Sequence, residues 1–137
     1  MKRWLLLIVL VLVAAAWAMA VRYVMRAEAK KGREAGYQSA LQVYSQDLKS
    51  GLTRKEVEGY LRARSVAFEQ RCCLEERGAF ADLVKVGQED APWHCGATFV
   101  YIAFEFAARD SNTPPLKAGD TDTLKKIRIF RHLEGCL

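Results

Sequence analysis

The chain has 137 residues, with 21 Lys and Arg against 16 Asp and Glu, a formal net charge of +5. Residues 1–33 carry seven basic residues (Lys2, Arg3, Arg22, Arg26, Lys30, Lys31 and Arg33) against Glu28, a balance of +6, whereas residues 34–137 carry fourteen against fifteen, a balance of −1. That length leaves room for one small domain, and its neutrality argues against the phosphate backbone of a nucleic acid as partner; the basic excess suits anionic lipid headgroups.

From Trp4 to Val21 every residue is apolar. Eighteen helical residues at ~1.5 Å each cover roughly 27 Å, close to a hydrocarbon core of ~30 Å. Trp4 and Tyr23 stand at its ends, where amphipathic rings prefer the headgroup region. The segment reads as a single-pass anchor, with the lipid bilayer as its partner. It also has the layout of a cleaved secretory signal: a basic start at Lys2-Arg3, an apolar run and the small-x-small pairs Ala16-Trp17-Ala18 and Ala18-Met19-Ala20. Its division from the folded part is placed at 31/32. Two basic residues before the segment and five after it favour a cytoplasmic domain. Four cysteines, Cys72, Cys73, Cys95 and Cys136, favour an exported one, because an even number in a small exported domain suggests disulfides. The expectation is a periplasmic or otherwise extracytoplasmic domain.

Downstream, Tyr37, Leu41, Tyr44 and Leu48 recur at helical spacing and make one apolar stripe. Gly51 is a natural helix stop. Thr53 with Glu56 three residues on is a capping box for a second helix, about 54–64, with Val57, Tyr60 and Leu61 inward and Arg54, Lys55, Glu58 and Arg62 on the solvated side. The rest reads as strands at 65–74, 82–86, 97–108 and 124–133. In the third, Val100, Ile102, Phe104 and Phe106 alternate with Phe99, Tyr101, Ala103 and Glu105, and two apolar faces mark a central strand. In the last, Ile127 and Ile129 point inward, opposite Lys126, Arg128 and Phe130. The stretch 109–121, with Pro114-Pro115 and Gly119, reads as a surface loop. Helices first and strands after give an α+β class: an N-terminal transmembrane or signal helix, then a helical hairpin on a small antiparallel sheet of three to four strands.

The run Leu48-Lys49-Ser50-Gly51-Leu52-Thr53-Arg54-Lys55-Glu56-Val57 resembles the L-x-x-G-M-T-x-x-x-V signature of SmpA/OmlA (BamE-like) envelope domains, with Leu52 where that family usually has Met. The resemblance extends to about Leu61. It implies a helical hairpin on a small sheet, and a non-enzymatic interaction module of the bacterial cell envelope with an envelope protein as partner. It brings no catalytic residues and no cofactor. The segments CCLEERGAFADLVKVGQED and PWHC also resemble a family of uncharacterised bacterial membrane-associated proteins, which implies no activity.

Adjacent residues of a strand point to opposite faces, so Cys72 and Cys73 are expected to take different partners, one bridging to Cys95 and one to Cys136. Three pairings of four cysteines remain open. The competing reading is a thiol-dependent redox or metal-binding protein using Cys72, Cys73 and Cys95, with His94 as a further ligand. It lacks the Cys-x-x-Cys of redox catalysts and the two- to four-residue spacing of zinc ligands, so no metal is expected. Nor is there a Gly-rich phosphate loop, a Gly-x-Ser-x-Gly or a His-Glu-x-x-His, and no enzyme is expected. The acids Glu75, Glu76, Asp82, Glu89 and Asp90 have no His or nucleophile at a recognisable spacing. His132 follows a basic strand and is expected on a solvated face. Trp93, beside Pro92 in a loop, is the candidate partner contact.

Overall fold

A computed structural model describes residues 2–72, 74, 80–107 and 118–136. Two helices precede four strands: α1 (Lys2–Asp47), α2 (Arg54–Ala63), β1 (Glu69–Cys72), β2 (Phe80–Glu89), β3 (Ala97–Ala107) and β4 (Thr123–Glu134). The chain falls into two units, Met1–Gly36 and Tyr37–Leu137. The first is helical from Lys2 onward, and its helix is long and apolar enough to cross a membrane, a test that a signal sequence also passes. Trp4, Trp17 and the apolar side chains from Leu6 to Val13 are exposed all round.

The second unit begins with the last three turns of α1. Tyr37 and Leu48 are buried, and Leu41 and Tyr44 pack against the core. α1 ends at Asp47, and Gly51, expected as its stop, lies instead in the turn that follows, at φ +94, a conformation that disfavours any residue with a Cβ. Thr53 then caps α2: its hydroxyl accepts from the Glu56 amide, while the Glu56 carboxylate accepts from the Thr53 amide. The Thr53 hydroxyl also donates to Glu56 Oε2 (2.7 Å), and that bond, with the one from the Thr53 amide, holds the Glu56 carboxyl below its usual range. The next two amides are also used, Arg54 N donating to Asp122 O (2.8 Å) and Lys55 N to Asp120 O (3.1 Å). The first turn of α2 is therefore completed by carbonyls from the segment that leads into β4. The two helices meet through Tyr44 and Tyr60, whose ring centroids lie 6.4 Å apart, and through the Tyr60 hydroxyl and Arg64, both bonded to Asp47.

The sheet is an antiparallel meander in the order β1-β2-β3-β4. β3 is central, as its two apolar faces require. One face supplies Val84, Ile102, Phe104, Phe106 and Leu124, which pack with Leu48, Val57 and Leu61 of the helical layer. Each fully buried side chain of this size contributes about 1.5–3 kcal/mol. Ile127 and Ile129 lean on the same core, as their alternation implies.

Two strands depart from expectation. β1 covers only Glu69–Cys72 rather than 65–74. The chain leaves α2 through Ser65 at φ 55, with Ser65 N donating to Arg62 O and Val66 N to Leu61 O, so the following residues first close the helix. β2 runs from Phe80 to Glu89, twice the expected length, because it is paired on both sides. Its mixed sequence obscures this, for a bulge between Lys85 and Gly87 breaks the alternation. At that bulge the Tyr37 ring lies against bare backbone: a Cβ on Gly87 would sit 2.6 Å from the ring and its hydroxyl oxygen. Gly87→Ala is therefore expected to displace Tyr37 and destabilise the domain by about 1–3 kcal/mol. Urea unfolding of the variant checks this; wild-type stability would show that Tyr37 has other room. Of the loop expected at 109–121, Ala118 to Thr121 form a turn and the rest lies outside the described residues.

Candidate functional site

The β2–β3 connection carries the most exposed large apolar side chain among the described residues of the second unit. Asp90 to Gly96 make a tight turn, with Cys95 N donating to Pro92 O (2.9 Å). Trp93 at its tip is 95% exposed and touches only the edge of His94 among rings, 5.6 Å between centroids. The indole therefore stands out rather than folding back onto the sheet. The base of the turn is fixed twice, by Gly96 N donating to Glu134 O (2.9 Å) and by a disulfide between Cys95 and Cys136.

That disulfide corrects the expected pairing. Cys95 and Cys136 bond to each other, not to the Cys72-Cys73 pair. The physical reason is register: Ala97 faces Glu134 across β3 and β4, which brings the residues just beyond them together. Cys72, at the far end of the short β1, is itself disulfide-bonded, and Cys73 lies outside the described residues. Among the described residues no three His, Cys, Asp or Glu side chains converge on a point that could hold a metal ion. His94 is exposed in the turn, and His132 is half-buried, stacked on Phe130 at 6.0 Å rather than fully solvated.

The sheet face opposite the helices is amphipathic. Ala81, Leu83, Tyr101 and Ala103 are buried on it, with Phe99 and Phe130 alongside. Arg71 of β1 reaches Glu69 (3.2 Å) and, across the face, Glu134 of β4 (4.0 Å). Beside them lies an open groove of about 470 Å³, floored by Leu83, Phe99 and Tyr101 and rimmed by Glu69, Lys85 and Glu134. Lys85 Nζ sits 3.5 Å from the centre of the Phe99 ring. Burial, reinforced by Glu69 and Glu134, raises the Tyr101 phenol above its usual range, so it stays a hydrogen-bond donor. Carboxylates, a phenol and an aromatic floor can hold and orient a partner's side chain.

The third cluster is internal. Arg54 and Asp82 are both 0% exposed, with Arg54 Nη1 donating to Asp82 Oδ1. Arg54 Nη2 also donates to Phe80 O (3.0 Å) and lies 3.5 Å from Asp122 Oδ2, and the guanidinium stacks 4.0 Å over Phe106. Glu58, 6% exposed, accepts from Arg62 and from Gln70 Nε2 (2.9 Å). Arg54 and Glu58 were expected on the solvated side of α2 and are instead on its inner face. Positions 54, 57, 58 and 61 follow the i, i+3, i+4, i+7 spacing of one helix face, so the signal was present but two of its members are charged. Lys55 and Arg62 are exposed as expected.

Arg54 serves two carboxylates, and Arg54 Nε and Asp82 Oδ2 have no hydrogen-bond partner among the described residues. Burial pushes Asp82 up to about 6; Arg54 opposes this and Glu58 adds to it. A carboxyl whose folded pKa is raised binds its proton more tightly folded than unfolded. Its contribution is fully present below the unfolded value near 3.9 and is lost as pH rises through about 6. The stability difference between wild type and Asp82→Asn is expected to shift by on the order of 2–3 kcal/mol against the wild type between pH 4 and pH 8. Urea unfolding across that range measures it, and a flat difference would refute the assignment.

Compared with known proteins, the chain matches no family model, no curated protein and no solved structure.

Proposed function

We propose that the chain is a membrane-tethered, non-enzymatic interaction module of the bacterial cell envelope, held to the bilayer through Trp4–Val21, with its folded domain outside the cytoplasm and Trp93 as a contact for an envelope protein. The observation that carries the reading is the braced turn: a disulfide joins Cys95 to Cys136 at the base of a hairpin whose tip holds out an indole. Disulfides persist in oxidising compartments, and the apolar segment ahead of the domain supplies a route there. A rigid aromatic at a turn tip loses little conformational freedom on binding, which is how such residues become binding anchors. The resemblance to SmpA/OmlA-like domains supports the same reading, and its capping Thr corresponds to Thr53 at the start of α2.

The topology test is protease treatment of cells. The domain is expected to be digested once the outer membrane is opened while the inner membrane is intact, and Cys95 and Cys136 to resist alkylation until reduced. Digestion only after the inner membrane is broken would exclude the extracytoplasmic placement. For the contact, a photo-crosslinking amino acid at position 93 is expected to yield a discrete adduct in cells, where the same group at the exposed Lys55 yields none. Absence of any adduct at 93 would remove Trp93 from the proposal.

The second reading, redox or metal chemistry by Cys72, Cys73 and Cys95, needs Cys95 as a thiolate. The bridge to Cys136 weighs against it. Free thiols in the unreduced native protein, or zinc found by elemental analysis, would favour it instead.

A further inference from the structure

We infer that one basic face of α1, just beyond the apolar run, docks on the phosphate headgroups of anionic phospholipid and leans the helix toward them. The inference rests on the membrane-tethered reading and names the lipid class that the tether selects. Arg22, Arg26, Lys30 and Arg33 all lie in α1, within the unit Met1–Gly36. At 3.6 residues per turn, their spacing keeps them within about 80° of one another around the helix. Residues three and four apart are neighbours on a helix surface, so the four make one row about 16 Å long. All four are exposed. Among the described residues, none of the four has an ion pair or a hydrogen bond. The other charges of this stretch behave differently. Lys31 and Glu28 fall on the far side and pair with each other at 3.2 Å, and Glu34 falls outside the row.

Height above the bilayer selects the occupant. The row starts directly after Val21, the last residue of the unbroken apolar run. At ~1.5 Å of rise per residue, Arg22 and Arg26 stand within about 8 Å of that boundary, the depth of one headgroup layer. Phospholipid phosphates are therefore the first anions that the row meets. On an upright helix Lys30 and Arg33 stand higher, at roughly 14 and 18 Å. Spanning helices tilt by about 20° on average, and interfacial Lys and Arg help to set the direction. A tilt toward the row lowers Lys30 and Arg33 toward the headgroups, whose attraction extends over a Debye length of about 8 Å. The Lys31–Glu28 pair on the far side is neutral as a unit and does not oppose that lean. A soluble acidic segment would have to compete with lipid held permanently at the foot of the row.

The test is limiting acetylation of the full chain by an N-hydroxysuccinimide ester, read at each lysine by fragment-ion mass spectrometry. Lys30 lies in the row and its neighbour Lys31 faces away, so the ratio of their reactivities cancels any surface effect common to both. In nanodiscs of phosphatidylcholine with about one third phosphatidylglycerol, that ratio is expected to fall about fivefold relative to phosphatidylcholine alone. Salt at about 1 M, where the Debye length is ~3 Å, is expected to restore it. Arg26→Gln combined with Arg33→Gln, both exposed, is expected to abolish the fall while leaving the circular dichroism unchanged. An unchanged ratio, an equal fall at both lysines, or a fall that persists in the double variant would overturn the proposal. So would the same fall with inorganic phosphate in neutral nanodiscs, which would assign the row to a free anion. A fall with an alternating Glu–Ala peptide but none with anionic lipid would assign it to an acidic protein segment and overturn the proposal as well. A discrete adduct at Trp93 with an unchanged lysine ratio would leave the interaction-module reading standing and remove this one; the reverse pair of results would do the opposite.

Discussion

Arg54→Ala is expected to lower the unfolding free energy by about 3–5 kcal/mol, among the largest effects available to a single substitution in this domain. The guanidinium is wholly buried, bonds Asp82 and the Phe80 carbonyl, lies beside Asp122 and stacks on Phe106. Removing it leaves Asp82 buried without a counter-charge and opens a cavity over the Phe106 ring. It also parts α2 from both β2 and the turn before β4. Arg54→Lys separates these contributions: it keeps the charge but loses the planar fork that serves two acceptors and the stacking on Phe106. Chemical denaturation of the three proteins measures the effect. A loss below about 1 kcal/mol for the alanine variant would mean that the cluster is no more than a tolerated burial of charge. The result should also depend on pH, because Asp82 without Arg54 escapes its penalty by taking up a proton.

Cys136→Ser is expected to cost about 2–4 kcal/mol. The bridge spans a sequence separation of 41 residues, and in the loop-entropy model a loop of about that size contributes roughly 4 kcal/mol through the unfolded chain. The native contribution is smaller, since Gly96 N and Glu134 O hold the same end of the hairpin. The unfolding midpoint should therefore fall without change in the secondary structure. Reduction of the wild type should reproduce the loss, and a reduced protein as stable as the oxidised one would refute it. The same pair of samples bears on Trp93: without the bridge, the turn keeps its Pro92–Cys95 bond but loses its covalent base, and any partner contact there should weaken.

Much of the fold was legible from residue pattern because one cause dominated each element. The Tyr37, Leu41, Tyr44 and Leu48 stripe, the Thr53–Glu56 cap and the two-faced β3 each follow from a local rule that tertiary packing did not oppose, whereas the helix stops at Asp47, short of the expected Gly51. β2 was underestimated because pairing on both sides extends a strand whose bulge at Lys85–Gly87 hides its period. Arg54 and Glu58 were misplaced because a charge is ordinarily solvated. Here Asp82, from 28 residues away, supplies the partner that makes burial tolerable, and no local window contains both. The Cys95–Cys136 bridge depended on the β3–β4 register, which is set by hydrogen bonding along the strands and not by cysteine spacing. Trp93 could be named from its Pro-flanked turn, but its near-complete exposure needed the turn's geometry.

The way α2 is started has a consequence for the order of folding. Each strand of the sheet pairs with the one made just before it, so most of the meander can assemble from near neighbours. The first amides of α2 are different, for their acceptors at Asp120 and Asp122 arrive more than sixty residues later. A growing chain can therefore form α2 only as a frayed helix, and its first turn is completed when β4 is laid down. Detachment of β4 in the finished protein should undo the same turn. The amides of Arg54 and Lys55 would then exchange together with those of β4, as one cooperative unit, even though a helix and an edge strand separated by most of the domain ordinarily open independently.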